Sequence, residues 1–376
     1  MTEAFHRCAA GAVFGLVLCA ISIFGLWPFG SPRNDVTWLP GQHTLRFGRR
    51  ATAIAGRPLT GSASGDCSVE MWVRPSLTNA SGTLLAFYGP ARTQGLSLHQ
   101  SESDLRVDLE EGGRSPKTYY VGGVFHSGEL VFLAVVVNPT GTLAYLDGVL
   151  IRRLPRAEGP GEMCSGSFVV GDSPWQNDTW QGQLGGVAIY RQSRAQEQIE
   201  ADRQTWARRG APDPLGAQSV DVLYLFDEKK DGLIPDRGKS HVDLSIPERY
   251  TVARQFLLET PWRAFRPTLG YAGDVLLNVG GFIPFGAVFS VLLRSWGRTR
   301  GMGAATVIAG FLVSLAIETL QSRLPTRNSD LTDVLTNTIG AGLGFALYRN
   351  NYDVAIGFVR PFTSRSGLFP ARRAVD

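Results

Sequence analysis

Near the start and in the C-terminal third of this 376-residue chain, four long apolar stretches contain no charged residue, and they constrain its fold more than any other feature. They are residues 9–29, 275–293, 301–317 and 334–348, which hold 21, 19, 17 and 15 residues. A helix that crosses the hydrocarbon core of a bilayer needs about 17–25 residues, so the first three have the length of a span. The fourth is short and spans only if Asp333 or Arg349 lies at or inside the interface. We therefore predict an α-helical transmembrane bundle of about four helices.

The first apolar stretch allows two interpretations, a cleaved signal peptide or a retained helix. Its end reads GLWPFGSPR and offers no small-residue cleavage site. We therefore favour an N-terminal transmembrane helix over residues 1–30.

Arginines in the short connections set the expected orientation, because cytoplasmic loops carry an excess of Lys and Arg. The loop after the second stretch holds Arg294, Arg298 and Arg300, and residues 351–376 form a basic tail. Both are predicted to be cytoplasmic, which places residues 37–250 outside a bacterial inner (cytoplasmic) membrane as part of a multi-pass protein. Arg323 and Arg327 lie on the opposite flank, so the charge bias is imperfect.

The net charge of +4 is mild, and no basic stripe indicates nucleic-acid binding. Anionic lipid at the inner leaflet is the acidic partner that juxtamembrane arginines favour. Membrane lipid is thus the first predicted partner, and nucleic acid is not one.

The middle of the chain reads as many short strands. CSVEMWVRP alternates apolar and other residues, LVFLAVVVN is a continuous apolar strand, and GTLAYLDGVLIRRL is a hairpin that turns at Asp147-Gly148. The segment SRAQEQIEADRQTWARR begins with Ser193 and has helical composition. Short strands with turns at regular spacing predict a two-sheet sandwich.

The strands SVEMWVRPS, GTLAYLDGVLI, FVVGDSP and WQGQLGGVAIY resemble the LamG-type, concanavalin A-like jelly roll. The resemblance implies an all-β jelly-roll sandwich of the lectin/glucanase kind over residues 37–250, and carbohydrate binding as one of its functions. Trp175 and Trp180 flank one loop; hydrophobic packing under that loop is the favoured interpretation, and glycan contact is the alternative.

Catalysis by the sandwich would need two carboxylates across a cleft. Asp104, Asp108 and Glu110 share a strand face, but the E-x-D-x-x-E pattern of the laminarinase-like relatives is absent, so a solvated strand is favoured. No cofactor is predicted. Some relatives bind calcium, and Asp172, Asp178 and Asp227 are loop acids that leave a metal open.

Cys67 and Cys164 lie in the predicted extracytoplasmic region, where oxidation is feasible. A disulfide between them and a pair of buried thiols both remain open.

The C-terminal third, residues 256–350, carries polar residues at helical spacing inside its apolar stretches. A D…N…G-F-I-P-F-G helix is followed by an I-E-x-x-Q helix end and an R-x-x-D-x-x-D-x-x-x-N-x-x-G run. These motifs resemble the VanZ-like family, which is named for a protein linked to teicoplanin resistance and implies no settled reaction. The match falls on Asp274, Asn278, Pro284, Gly286, Glu318, Gln321, Arg327, Asp330, Asp333, Asn337 and Gly340.

The predicted topology brings these polar residues to the outer membrane face. We expect Arg323 and Arg327 to pair with the carboxylates, and Asp330 or Ser329 to cap the fourth helix. Three interpretations remain: a clamp that holds helices together, a pocket for a headgroup or lipid-linked glycan, and a catalytic site with Glu318 or an aspartate as general base. All five histidines lie outside this module, so an enzyme is the least favoured.

We therefore predict a cell-envelope membrane protein. Its lectin-like domain binds glycan or envelope polymer, and its VanZ-like bundle engages lipid or lipid-linked sugar at the outer leaflet. The alternatives are a membrane enzyme acting on a lipid-linked envelope precursor, and a protein-binding scaffold for polysaccharide or secretion machinery.

Overall fold

A computed structural model describes residues 2–61, 64–89, 94–110, 116–155, 163–175, 177–210, 212, 220–261 and 269–350. The chain divides into two compact units, described separately below. The helical unit is Met1–Gly30 with Gln255–Asp376, and the sandwich unit is Ser31–Arg254. The predicted basic tail, residues 351–376, lies outside the described residues.

Sixteen strands of the sandwich unit fall within the described residues. They are β1 Val36–Leu39, β2 Thr44–Phe47, β3 Ala53–Ala55, β4 Cys67–Pro75, β5 Ser81–Tyr88, β6 Gln94–Ser101, β7 Asp104–Leu109, β8 Lys117–Val121, β9 Val131–Asn138, β10 Gly141–Leu146, β11 Val149–Leu154, β12 Ser167–Val170, β13 Gly182–Tyr190, β14 Val222–Tyr224, β15 Leu233–Ile234 and β16 Leu244–Ser245. A short 3-10 turn, Pro40–Gln42, joins β1 to β2.

The strands form two antiparallel sheets of eight. The first has the order β1-β2-β13-β4-β9-β10-β11, with β14 paired to β13, and the second has the order β15-β16-β3-β12-β5-β6-β7-β8. Consecutive strands pair in β5-β6-β7-β8 and β9-β10-β11, whereas pairs such as β2-β13, β13-β4 and β12-β5 join strands distant in sequence, as in a jelly roll. A disulfide joins Cys67 at the start of β4 to Cys164, 97 residues later, just before β12.

The core lies between the sheets and follows the two-residue period of the strands. On β4, Val69, Met71 and Val73 point inward and are buried in the main apolar cluster. Glu70 and Trp72 of the same strand point to the opposite face, which is also covered. This double burial explains why β9, VFLAVVVN, is apolar throughout.

Helix α2, Gln196–Arg209, covers the outer face of the first sheet. Its Ile199 and Trp206 pack on Phe132 and Tyr190 in a second apolar cluster. Ser193 does not start this helix. The N-cap is Ala195, whose N–H donates to the Gln198 side chain at 2.9 Å, so the helix begins later than its composition suggested.

The β10–β11 hairpin turns where the sequence predicted. Asp147 and Gly148 have φ angles of +50° and +82°, the left-handed pair that a two-residue turn requires. The Asp147 carboxylate also accepts the Phe132 N–H at 3.0 Å, which fixes the turn to β9.

The helical unit contains α1 Thr2–Leu26, α3 Leu269–Ser295, α4 Met302–Gln321 and α5 Leu331–Asn350. Of the described helices, three are long and apolar enough to cross a membrane, over Arg7–Leu26, Tyr271–Ser295 and Met302–Gln321. Helix α5 has 20 residues but is not among them, because Thr, Asn and Gly residues lower its hydropathy. Helix α3 continues through Pro284 without a break.

Two long-range hydrogen bonds define the ends of the bundle. At one end the Arg7 side chain near the start of α1 donates to the Ser295 carbonyl at the end of α3, at 2.9 Å. At the other end Gln321, the last residue of α4, donates to the Gly25 carbonyl near the end of α1, at 2.8 Å. Helix α1 is therefore antiparallel to α3, and its C-terminus lies beside that of α4.

Glycines bring α5 into backbone contact with α3. A Cβ atom at Gly340 would collide with the Val279 carbonyl oxygen, and one at Gly344 would collide with the Ile283 carbonyl oxygen. The pair forms a G-x-x-x-G spacing, the small-residue motif that lets helix backbones approach in lipid.

We expect Gly340→Ala to destabilise the bundle by about 1–3 kcal/mol, because the methyl group must push α5 away from α3. The measurement is the thermal stability of the full-length protein in detergent. Gly342→Ala is the matched control, since its Cβ would meet only Val307 at an ordinary 3.7 Å. Equal losses in the two variants would show that close backbone packing at Gly340 is not required.

Candidate functional site

Polar residues of three helices meet at the end of the bundle where α4 finishes and α5 begins. On α4 they are Ser314, Glu318 and Gln321, which share one face. On α5 they are Asp333 and Asn337, one turn apart. The structure thus brings together residues that lie up to 63 positions apart in sequence, from Asp274 to Asn337.

Glu318 links the end of α4 to the start of α5. Its side chain is only 2% exposed. One carboxylate oxygen accepts the Asp330 N–H at 2.8 Å, and the Ser329 hydroxyl also bonds to it. A carboxylate at this position lies beside the positive end of the α5 dipole, which favours its negative charge.

Asp330 caps α5, as the sequence suggested. Its carboxylate accepts the Thr332 N–H at 2.7 Å. The backbone on either side of it pairs with Glu259, whose N–H donates to the Ser329 carbonyl and whose carbonyl accepts the Leu331 N–H. The role of the Leu258–Glu259 segment could not be predicted, because backbone pairing leaves no side-chain pattern in the sequence.

Helix α3 reaches the cluster through Asn278. Its amide donates to the Asp333 carboxylate at 2.7 Å. Asp274, one turn earlier on α3, is exposed and close enough to Asp333 to repel it. Deeper in the bundle Asn337 donates to the Ser314 hydroxyl at 2.9 Å, which connects α5 to α4. We refer to Asp274, Glu318, Asp330 and Asp333 as the acidic cluster.

The two arginines do not pair with the acidic cluster, contrary to expectation. Arg327 donates to the carbonyl oxygens of Trp27 at 2.9 Å and Phe24 at 3.1 Å, so it caps the C-terminus of α1. Arg323 is exposed. The unpaired carbonyls at the end of a helix are strong acceptors, and here they hold the guanidinium. All ion pairs found between described residues lie in the sandwich unit.

The two candidate aromatic residues of the sandwich have different environments. Trp180 is 2% exposed and part of the core, and its indole N–H donates to Gln100 at 2.7 Å. It therefore offers no face to a glycan, and the glycan-contact alternative is wrong for this residue. Trp175 is half-buried and packs edge-on against Tyr88, with ring centroids 5.4 Å apart.

The acids considered for catalysis or calcium have partners within the sandwich. Asp108 lies 3.2 Å and Asp178 3.6 Å from opposite nitrogens of the buried His99. Asp227 pairs with Arg237, and Asp104 accepts from Gly123 and Ser103. Glu110 lies directly after the end of β7. Among the described residues no group of three or more His, Cys, Asp or Glu side chains has the arrangement of a metal site.

His99 and its two aspartates form a buried charge network. Burial alone would lower the pKa of His99, but hydrogen bonds to the carboxylates of Asp108 and Asp178 outweigh it and raise that pKa. Burial works against both carboxylates, and the same hydrogen bonds to His99 outweigh it and lower their pKa values. Ser97 also contacts His99, at 2.9 Å, but its complete burial leaves no access for a substrate.

Comparison with known proteins agrees with this architecture. Residues 235–355 match the VanZ/LLP1 family model, and residues 48–200 match the model of the concanavalin A-like lectin/glucanases superfamily. The chain combines a concanavalin A-like domain with a VanZ-like module. The VanZ-like match begins at residue 235, inside the sandwich unit, whereas the helical unit resumes at Gln255. The structural boundary is the better one, since residues 244–245 form β16 of a sheet.

Solved structures show a likeness to part of the chain. The chain is 14% identical to a protein from Bacteroides ovatus assigned as carbohydrate-binding, over 54% of this chain and 60% of that one, with a TM-score of 0.38. It is 13% identical to a pentraxin from Limulus polyphemus, over 42% of this chain and 83% of that one, with a TM-score of 0.32. Both TM-scores lie below 0.5, so the fold assignment rests on the two sheets and on the match to the superfamily model. A search of curated proteins gives no match.

The VanZ-like module and the three apolar helices are those of a membrane protein. Its polar residues converge at one end of the bundle, as the matched motif positions anticipated. The residues that the motif did not indicate are Leu258, Glu259 and the carbonyls of α1, all of which act through the backbone.

Asp172 gives the concanavalin A-like domain a pH dependence. It is fully buried and accepts the Tyr250 hydroxyl at 2.7 Å. Burial raises its pKa to about 7. A carboxyl whose pKa is raised on folding costs stability once it ionises in the unfolded chain, so stability falls as pH rises from about 4 to about 7.

We expect Asp172→Asn to flatten this fall, because asparagine does not ionise. The measurement is the unfolding midpoint of the domain in the full-length protein between pH 4.5 and pH 7.5, taken as the difference between variant and parent. Asp227→Asn, at an exposed ion pair, is the control and keeps the parental slope. A difference that does not change with pH would refute the assignment.

Proposed function

We propose that this is a multi-pass protein of the bacterial inner membrane with a role in the cell envelope. Its extracytoplasmic lectin-like domain binds glycan or envelope polymer. Its VanZ-like bundle engages a lipid or lipid-linked sugar at the outer leaflet.

The observation that carries the membrane half is the acidic cluster. Ionisable groups inside a membrane domain are costly, at about 2.5–3.5 kcal/mol for a helix centre, and they usually mark a functional site. Capping explains Asp330 and part of Glu318, but neither Asp274 nor Asp333 has a capping role. Asp333 also accepts the Asn278 amide, so Asp274 is the carboxylate of the cluster without a hydrogen-bond partner among the described residues, and it supports a site that binds a ligand.

Chain connections support the same end of the bundle as the outer one. The polypeptide leaves the helical unit after α1 and returns at Gln255, and both points adjoin the end where Glu318 and Asp330 meet. Trp27 and Phe29 are each 60% exposed there, and Trp296 is exposed at the opposite end, as in the aromatic belts of membrane proteins. The Cys67–Cys164 disulfide suits an oxidising compartment outside the cytoplasm.

Residue Trp175 supports the glycan half. It is half-buried, and its ring is held by Tyr88 rather than enclosed in the core. A fixed aromatic ring offers a large, rigid contact area at low entropic cost. The superfamily that the domain matches is described by its lectins and glucanases, which makes carbohydrate the ligand class to test first.

Cysteine accessibility tests the topology. In a background without Cys8 and Cys19, we expect a cysteine at Asn328 to react with an impermeant maleimide in intact spheroplasts. A cysteine at Arg298 is the matched control and should react only after lysis, because its loop is the cytoplasmic one. If the cysteine at position 328 reacted only after lysis, the bundle would have the opposite orientation, and the outer-leaflet proposal would be wrong.

Glycan arrays of the full-length protein in nanodiscs test the lectin role. We expect Trp175→Ala to weaken binding by about 1 kcal/mol, roughly fivefold in Kd, and Trp175→Tyr to retain most of it. Empty nanodiscs provide the background. Binding unchanged in Trp175→Ala would place the glycan elsewhere on the domain, and an array with no binding would leave a protein-binding scaffold as the better description.

A further inference from the structure

Two amide side chains beside the acidic cluster carry acceptor oxygens that no described residue satisfies. Asn337 is 6% exposed and Gln321 is 8% exposed, yet the side-chain oxygen of each has no donor. Orphaned acceptors at such burial are uncommon in folded proteins, and each calls for an explanation. Their amide nitrogens are engaged elsewhere, with Ser314 and Gly25.

Both orphaned oxygens belong to the same polar face as the carboxylates. Gln321 follows Glu318 by three residues on α4, and Asn337 follows Asp333 by four on α5. The bond from Asn337 to Ser314 holds the Asn337 side chain between α4 and α5, one turn below Glu318. The orphaned acceptors therefore lie on the faces of α4 and α5 that also carry Glu318 and Asp333.

Among the described residues, no cation forms an ion pair with the acidic cluster. Arg327 is held by the carbonyls of α1, and none of the described ion pairs reaches Asp274, Glu318, Asp330 or Asp333. The site presents four carboxylates and two amide oxygens, which all accept hydrogen bonds. An anionic group such as a phosphate would be repelled, and a group without N–H or O–H could not satisfy the orphaned oxygens.

We propose that the acidic cluster, together with Gln321 and Asn337, is a recognition site for a primary ammonium group. This inference rests on the proposed function that the bundle engages a lipid, and it names the part of the ligand that is bound. An ammonium carries a positive charge and three N–H donors, which suits carboxylates and amide oxygens. The described carboxylates do not form a metal-binding group, so a bare divalent cation fits less well.

The ammonium could come from the ethanolamine headgroup of a phospholipid or from a free amine. In either case the phosphate of a lipid would lie away from the carboxylates. Asp274 is exposed at the edge of the cluster, Asp333 is half-buried and Glu318 is buried, so the charged groups form a graded path from the surface inward. The diphosphate of a lipid-linked sugar would likewise lie away from these carboxylates.

Lipid retention by the full-length protein tests the proposal. The protein is purified in detergent with equal amounts of phosphatidylethanolamine, phosphatidylcholine and phosphatidylglycerol, and retained lipid is counted by native mass spectrometry. We expect phosphatidylethanolamine to be retained roughly tenfold over the other two, as charge-assisted hydrogen bonds imply. Phosphatidylcholine is the matched probe, because its headgroup keeps the charge and loses every N–H donor.

Variants locate the preference. Asp274→Asn and Asp333→Asn should each reduce it, and Asp274→Asn carries little risk to folding since this side chain is exposed. Glu129→Gln, which removes the same charge from an exposed site in the sandwich unit, should keep it. The proposal would be overturned by equal retention of the three lipids together with no stabilisation by free ethanolamine, by a preference for phosphatidylglycerol, or by a preference that survives both aspartate variants.

A parallel arm separates the source of the ammonium from the proposed function. Thermal stabilisation by free ethanolamine but not choline, without any lipid preference, would keep the ammonium site and assign it to a free amine. Lipid retention without headgroup preference, and without stabilisation by free ethanolamine, would keep the lipid-binding function and remove the ammonium site. Absence of both retention and stabilisation would remove both.

Discussion

The bundle of the VanZ-like module is organised by the need to satisfy a buried carboxylate, that of Glu318. A carboxyl group with 2% exposure in an apolar helix requires hydrogen-bond partners nearby. The chain supplies them from the start of the next helix, through the Asp330 N–H and the Ser329 hydroxyl. This bond fixes the end of α4 against the beginning of α5, and the polar residues on both helices then face each other without any further device.

The second requirement is that α5 lies close to α3, and this depends on glycines, which have no side chain. Gly340 and Gly344 let the α5 backbone touch the carbonyl oxygens of α3, which brings Asn278 within 2.7 Å of Asp333. In lipid, where apolar side chains gain little by leaving their surroundings, such contact is a main source of helix association. The polar site is thus positioned by packing that carries no polarity of its own.

Much of this architecture could be predicted from the sequence, because it follows periodic patterns. Charge-free stretches predicted the membrane helices, the alternation in CSVEMWVRP predicted β4, and Asp147-Gly148 predicted the hairpin. Partners could not be predicted where a side chain binds backbone atoms. Arg327 looked like a counter-ion for carboxylates, yet the carbonyls at the end of α1, some 300 residues earlier, hold it. Trp180 looked like a surface aromatic beside Asn177, but Gln100 satisfies its indole N–H and allows it to enter the core.

Several buried acids of the two units are paired differently. In the concanavalin A-like domain, Asp108 and Asp178 share the buried His99, and Asp202 pairs with Arg194, so each of these three acids has a cationic partner within the fold. Such closed networks specify a structure and leave nothing for a ligand. In the VanZ-like module the described acids have N–H donors but no cation, and two amide oxygens beside them have no donor. A network that is complete in geometry and incomplete in charge is the arrangement expected where a cationic ligand supplies the missing partner.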